Sequence, residues 1–396
     1  MRRAAFAYIV LFCAVAAWSP YLSLYYQSLG IPLAQIGALM AFTSAVGLVS
    51  APVWGSIHDR YPRSFVLLPI AGMLLATGAF GLLNAGVTPL LIVSAACFAM
   101  GTSGIAPMMD VRILEQTGAD RTRYGRVRAC GSASFMLAAP LIGLLKDNHG
   151  AGSIFWVMIP AGLAGALIAT TIPGRTNVAR MPSMWRAPGR VLRHKPIAFY
   201  LLGSFICLAA VSAQTVYIGP YLRSLGASNQ LIGWAASIGA LVEVPMMVFF
   251  PRLARRFGVE RLILFGAVII AFRQIANATI TDPNLLVACT MFQGAGWGLL
   301  VVGGVTFVSR QAPKGTAATA QGLLSGAANS MASIAGTGLG GLLASLLGMR
   351  GMYMVTVVVG FVAVFVIAAA VLPYVGHSQQ EGLQIPLAAE PRPPEF

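Results

Sequence analysis

The chain has 396 residues, 57% of them hydrophobic and only 9% charged, and its mean hydropathy is +0.78. Soluble domains carry roughly 25% charged residues, so this composition excludes a water-soluble enzyme and predicts an all-α protein that crosses a membrane many times. A net charge of +15 also suits a nucleic-acid binder, but the bases sit in short connections between apolar runs, without interleaved aromatics, where they act as orientation signals.

With about 20 apolar residues per crossing as the template, twelve spans are predicted, near 5–27, 36–57, 64–84, 88–117, 124–147, 152–173, 197–222, 230–251, 260–280, 284–309, 316–347 and 350–374. Arg2-Arg3 before an apolar run resembles a signal peptide, yet a later segment repeats this stretch, which makes it a retained first span. Twenty of the 26 Lys and Arg residues fall on one side and three (Lys146, Arg223, Arg350) on the other, which places both termini in the cytoplasm of a cell-membrane protein. The expected organisation is an N-terminal six-helix bundle over 1–173, a basic cytoplasmic linker over 174–196, a C-terminal six-helix bundle over 197–374 and a disordered tail over 375–396. Cys13, Cys97, Cys130, Cys207 and Cys289 each fall in a span, with no CxxC and no His at ligand spacing, so neither a disulfide nor a metal is expected. No P-loop or nucleophile elbow is present, so no catalytic residues and no cofactor are expected either.

The halves repeat. A shift of 196 places sets Tyr25, Ser28, Leu29, Gly30, Ile36 and Gly37 on Tyr221, Ser224, Leu225, Gly226, Ile232 and Gly233, and carries on to set Arg60 on Arg256. Two homologous six-helix halves with a site near the midplane between them are a transporter architecture that works by alternating access.

Charge inside the apolar spans marks the candidate site, because an ionised group there costs at least about 2.5–3.5 kcal/mol and needs a partner or water. Asp110 late in span 4 and Arg128 early in span 5 reach similar depth in a helical hairpin and form the first candidate pair. Arg112 is assigned instead to Glu115, one turn on. Glu243 in span 8 and Arg273 in span 9, with Asn277 one turn from it, form the second. Glu243 and Asp110 are the proton-coupling candidates. Trp18 and Tyr21 on span 1 are matched by the repeat to Gln214 and Tyr217 on span 7, and all four are candidate solute contacts, with Gln293 and Trp297 on span 10 and Ser325 with Asn329 on span 11 as further ones. Tyr25 and Tyr221 read as an interfacial belt or gate. A structural role for either ion pair stays open at this stage.

Gly55-Ser56-Ile57-His58-Asp59-Arg60-Tyr61-Pro62-Arg63 resembles the loop signature of the major facilitator superfamily, with Pro62 where glycine is usual. That resemblance makes Gly55, Asp59, Arg60 and Arg63 a cytoplasmic gate. Pro20 to Tyr25, Gly30, Gln35-Ile36-Gly37 and Tyr124-Gly125-Arg126-Val127-Arg128 further resemble the branch of lactose permease, nucleoside–proton symporters and phenylpropionate permeases. The resemblance implies that Asp110, Arg128 and Arg273 contact solute. It also departs from the branch: Thr290 and Gln293 stand where the sugar permease has the histidine and glutamate of its proton site. The resulting expectation is a monomeric secondary transporter of a small organic solute, coupled to protons by symport, with two cavity arginines favouring an organic anion over a sugar or nucleoside. Proton-antiport export of hydrophobic compounds, or a receptor or scaffold on the same fold, are the alternatives.

Overall fold

The computed structural model describes residues 2–61, 66–84, 88–117, 121–172, 188–313 and 316–375. The tail and most of the expected linker lie outside these residues, as does Arg63. Among the described residues there is no strand. Hydrocarbon offers the backbone no hydrogen bonds, so each crossing must satisfy its own amides, and an apolar chain of this length does so as helices.

The first half comprises α1 (Arg2–Trp18), α2 (Leu22–Ser28), α3 (Leu33–Arg60), α4 (Leu67–Leu83), α5 (Thr88–Thr117), α6 (Arg121–His149) and α7 (Ile154–Thr170). After α8 (Pro188–Leu192) the second comprises α9 (Lys195–Ser224), α10 (Asn229–Phe257), α11 (Val259–Thr279), α12 (Pro283–Ala288), α13 (Thr290–Gln311), α14 (Ala317–Gly322), a π-helical turn (Leu323–Met331) and α15 (Ala332–Val371). Ten stretches are long and apolar enough to cross a membrane, with Leu67–Leu83 a shorter eleventh. One of the ten, Thr319–Tyr374, is double, because Gly348 at φ +73° breaks α15 into two crossings. The arrangement is that of twelve spans in two pseudo-symmetric halves.

The repeat is visible in turn geometry. Gly30 and Gly226 hold φ of +75° and +87° at equivalent helix ends, and the amides of the residues that follow, Ile31 and Ala227, return to the carbonyls of Tyr26 and Leu222. This is a glycine-terminated helix cap that a side chain would strain. It turns the chain back into the membrane at the same place in each half. Tyr25 and Tyr221 do not form a lipid-facing belt: both are buried, and their hydroxyls donate to Leu82 O (2.9 Å) and Ile280 O (3.4 Å) at the ends of α4 and α11. Unpaired carbonyls at helix ends are what draw them inward.

Two seams join the halves, α6 against α10 and α3 against α15. At the first, the Tyr21 hydroxyl donates to Ala139 O (2.6 Å) and Asn229 O (3.2 Å). At the second, Tyr217 donates to Thr337 O (3.0 Å) and Leu33 O (3.4 Å). Leu33 and Asn229 are themselves 196 places apart, so the two contacts are copies of one another. Each hydroxyl lies on a bare glycine: a Cβ at Gly37 would stand 2.5 Å from the Tyr217 oxygen and one at Gly233 2.4 Å from that of Tyr21. The sequence makes Tyr21 and Tyr217 solute contacts; the structure buries both rings completely in these seams instead, since each hydroxyl satisfies one helix carbonyl of its own half and one of the opposite half. Both seams lie at the end of the molecule away from the termini.

Removing one ordinary hydrogen bond costs about 0.5–1.5 kcal/mol. The double variant Tyr21→Phe/Tyr217→Phe is therefore expected to raise the population open at this end by about tenfold or more. Maleimide labelling of a cysteine placed at Ile232 checks it, with faster labelling from the side opposite the termini as the outcome.

Candidate functional site

Between the halves is a cavity of about 280 Å³, at the small end of the range for ligand sites. Ser19, Pro20 and Phe135 of the first half face Gln214, Glu243, Gln293 and Trp297 of the second. The inter-half hydrogen bonds among the described residues, including Ser237 to Met136 O (2.7 Å) and Ser44 with Ser333 (3.0 Å), cluster on the far side from the termini. The cavity is closed there.

Glycines place the acid. A Cβ at Gly294 would lie 2.0 Å from Gly239 O, and one at Gly298 3.0 Å from Glu243 O, so α13 packs backbone to backbone on α10. That close approach sets the half-buried Glu243 beside Gln293 and Thr290. No hydrogen bond or ion pair among the described residues engages its carboxylate, and the charge that acts on it is that of Arg128, which is not part of the cavity lining. Gln293 Oε1 is buried beside the same cavity without a partner. An acid, two amides, a threonine and an indole form a surface that donates and accepts hydrogen bonds and offers flat faces to a ring.

The sequence pairs Glu243 with Arg273; the structure does not. Arg273 is 1% exposed inside the second half, where it donates to Asn277 Oδ1 and to Leu286 O (3.4 Å). Asn277 is likewise sealed in, so neither residue touches the cavity. The physical reason is rotation: α11 is apolar on every side, so sequence does not say which face meets the bundle interior.

Asp110 and Arg128 come near one another without forming the expected direct ion pair. Asp110 accepts a hydrogen bond from Tyr8 on α1, and Tyr124 and Arg128 also act on it. Arg128 lies over the rings of Phe12 (4.3 Å) and Tyr8 (5.5 Å), a cation–π arrangement that holds a guanidinium in an aromatic setting. Tyr8 and Phe12 are contributors that the sequence reading missed; their signal is the i, i+4 aromatic spacing on span 1. Arg112 is 2% exposed and donates to Ala169 O on α7 (3.4 Å) rather than reaching the membrane surface, and the side chain of Glu115 lies outside the description. Trp18 packs edge-on against Phe98 (5.4 Å) outside the cavity lining. Ser325 and Asn329 line a separate, smaller hollow in the second half with Tyr200 and Gln321.

Of the gate residues, Gly55 and Arg60 are exposed at the end of α3, Arg60 over the ring of its neighbour Tyr61 (5.8 Å). The Asp59 side chain and all of Arg63 lie outside the described residues. No cluster of His, Cys, Asp or Glu suited to a metal occurs among the described residues.

Comparison with known proteins decides the family. The model of the MFS_1 like family matches residues 1–355. The chain belongs to the major facilitator superfamily. The transporter is 31% identical over 342 residues to the maltose permease of Geobacillus stearothermophilus, covering 85% of this chain and 86% of that one. It is 24% identical over 320 residues to the multidrug resistance protein MdtG of Dickeya zeae (strain Ech586), covering 76% and 78%. The crystal structure of the nucleoside transporter NupG shares its fold, with a TM-score of 0.82 at 15% identity over 93% of this chain and 98% of that one. The protein is thus a multi-pass membrane transporter of a small-molecule solute and not an enzyme.

Tyr8→Phe removes the donor that meets the Asp110 carboxylate. A loss of about 1–3 kcal/mol is expected, measured as a lower unfolding midpoint in lipid nanodiscs, with Phe12→Leu giving a smaller loss.

Proposed function

We propose that the transporter imports a neutral, hydroxyl-rich solute such as a sugar in symport with protons, and that Glu243 carries the proton. The observation that carries this reading is a single carboxylate, free of protein partners among the described residues, set among uncharged polar groups in the cavity between the halves. An acid in that position gains and loses a proton as water and solute come and go, which couples its charge to occupancy. With Arg273 and Asn277 sealed away from the cavity, one of the two arginines behind the case for an organic anion is withdrawn, and the charge of the other, Arg128, is met by Glu243. Similarity to a maltose permease points the same way.

Both termini are assigned to the cytoplasm on the distribution of Lys and Arg, and the closed far side then makes this state inward-facing. The bundles 1–173 and 197–374, joined by the basic linker 174–196, rock about the cavity, and Gly55, Asp59, Arg60 and Arg63 latch the cytoplasmic face in the opposite state. Asp110 and Arg128 lie behind the first-half wall and tune that side. One chain supplies both walls, so the monomer suffices. Export of lipophilic cations by proton antiport is the second reading, favoured by similarity to MdtG and by an acid that no base neutralises by contact.

Proteoliposomes separate these. Maltose accumulation driven by an inward proton gradient, with Glu243→Gln abolishing accumulation while retaining counterflow, is the expected result. Gradient-driven accumulation that survives Glu243→Gln overturns the proton assignment, and ethidium extrusion without any maltose or uridine uptake favours export.

A further inference from the structure

Arg273 has no carboxylate partner among the described residues, and its Nε is buried without an acceptor. A guanidinium has five N–H donors and no acceptor. Whatever contacts it must therefore turn an oxygen toward it, and that single requirement propagates through three amides. Asn277 presents Oδ1 to Arg273, which leaves Nδ2 to donate to Gln274 Oε1 (3.2 Å). With its oxygen taken, Gln274 donates through Nε2 to Gln214 Oε1 (2.9 Å). Gln274 and Asn277 are fully buried and Gln214 is 4% exposed, at the cavity wall. The carbonyl of Gln214 is thus engaged from behind, and its Nε2 has no acceptor in the protein among the described residues.

We propose that Arg273, Asn277 and Gln274 form a polarising relay that fixes Gln214 as a hydrogen-bond donor in the cavity, so that the solute presents an acceptor oxygen or nitrogen to it. The consequence for ligand chemistry rests on the reading of this cavity as the solute site; the polarity of the relay does not. An isolated glutamine turns its amide over freely and greets a donor or an acceptor equally. Here, turning Gln214 sets its NH2 against that of Gln274, and turning the whole chain requires Arg273 to accept a hydrogen bond, which it never does. Discrimination follows, because a solute that offers only a donor leaves a buried N–H unpaired on both sides. Across the cavity Glu243 accepts, so the two walls of the second half ask opposite things of the ligand, and a hydroxyl-bearing solute answers both. Arg273, Asn277 and Gln274 are positioning residues; Gln274 carries the polarity.

The test uses the full chain in lipid nanodiscs with 15N-labelled glutamine side chains, the Gln214 signal being assigned by its loss in Gln214→Met. In the unaltered protein the Gln214 amide protons are expected to exchange with water about tenfold or more faster than those of Gln274, since only the latter are held by a protein acceptor. Equal protection of the two overturns the proposal. In Gln274→Glu the new carboxylate only accepts, so Gln214 turns its NH2 toward it and its exchange slows about tenfold; unchanged exchange also overturns the proposal. If that variant does not fold, the comparison within the unaltered protein still decides. No solute is needed, so a transporter that moves neither maltose nor uridine leaves this result standing, whereas failure of the relay leaves the uptake measurements untouched.

Discussion

The buried polar groups of the described residues face one constraint, that hydrocarbon supplies no hydrogen-bond partners. Tyrosine hydroxyls run to helix carbonyls, Tyr25 and Tyr221 to helix ends within a half and Tyr21 and Tyr217 to carbonyls that include one from the other half. Arg128 finds aromatic faces and Arg273 an asparagine and a carbonyl. Set against that background, a carboxylate that no hydrogen bond or ion pair engages among the described residues, at an inter-half cavity, is a feature that points to function.

The same constraint makes close helix packing valuable, and small residues supply it. Gly294 and Gly298 bring α13 onto α10, and Gly37 and Gly233 receive the seam tyrosines. Gly336 and Gly341 do the same for α15, whose Cβ positions would fall 2.0 Å from Ala209 O and 2.4 Å from the Tyr217 hydroxyl. The cavity and the seams are thus built by one device, which ties the position of Glu243 to how the halves meet.

Much of this was legible in the sequence. Apolar run lengths located the spans, and the 196-residue repeat located the turns at Gly30 and Gly226 and nominated Tyr21 with Tyr217 as equivalents, although as solute contacts rather than fasteners. Glu243, Gln214 and Gln293 were readable as polar residues in apolar spans and do meet at the cavity. What sequence withheld was rotation about each helix axis. On a helix apolar all round, nothing distinguishes a face turned to the cavity from one turned to the bundle interior. Arg273 and Asn277 fell on the wrong side of that ambiguity, and Gln274, next to a more conspicuous arginine, escaped notice.

The two seams are not energetic twins. Asp147, at the end of α6, accepts from the backbone amides of Asn229 (3.1 Å) and Gln230 (3.0 Å) and from the Asn229 side chain (2.6 Å), so it caps the start of α10 from the opposite half. The α3 start has no such carboxylate, for its flanking residue is Pro32 and no side chain caps it. Parting the halves along α6 and α10 uncovers an anion and takes an acceptor from two amides of the first turn of α10, leaving Ser228 as its cap, whereas parting them along α3 and α15 frees a phenol and a pair of serine hydroxyls. An architecture built by duplication is therefore fastened unevenly, like a book with one edge pinned.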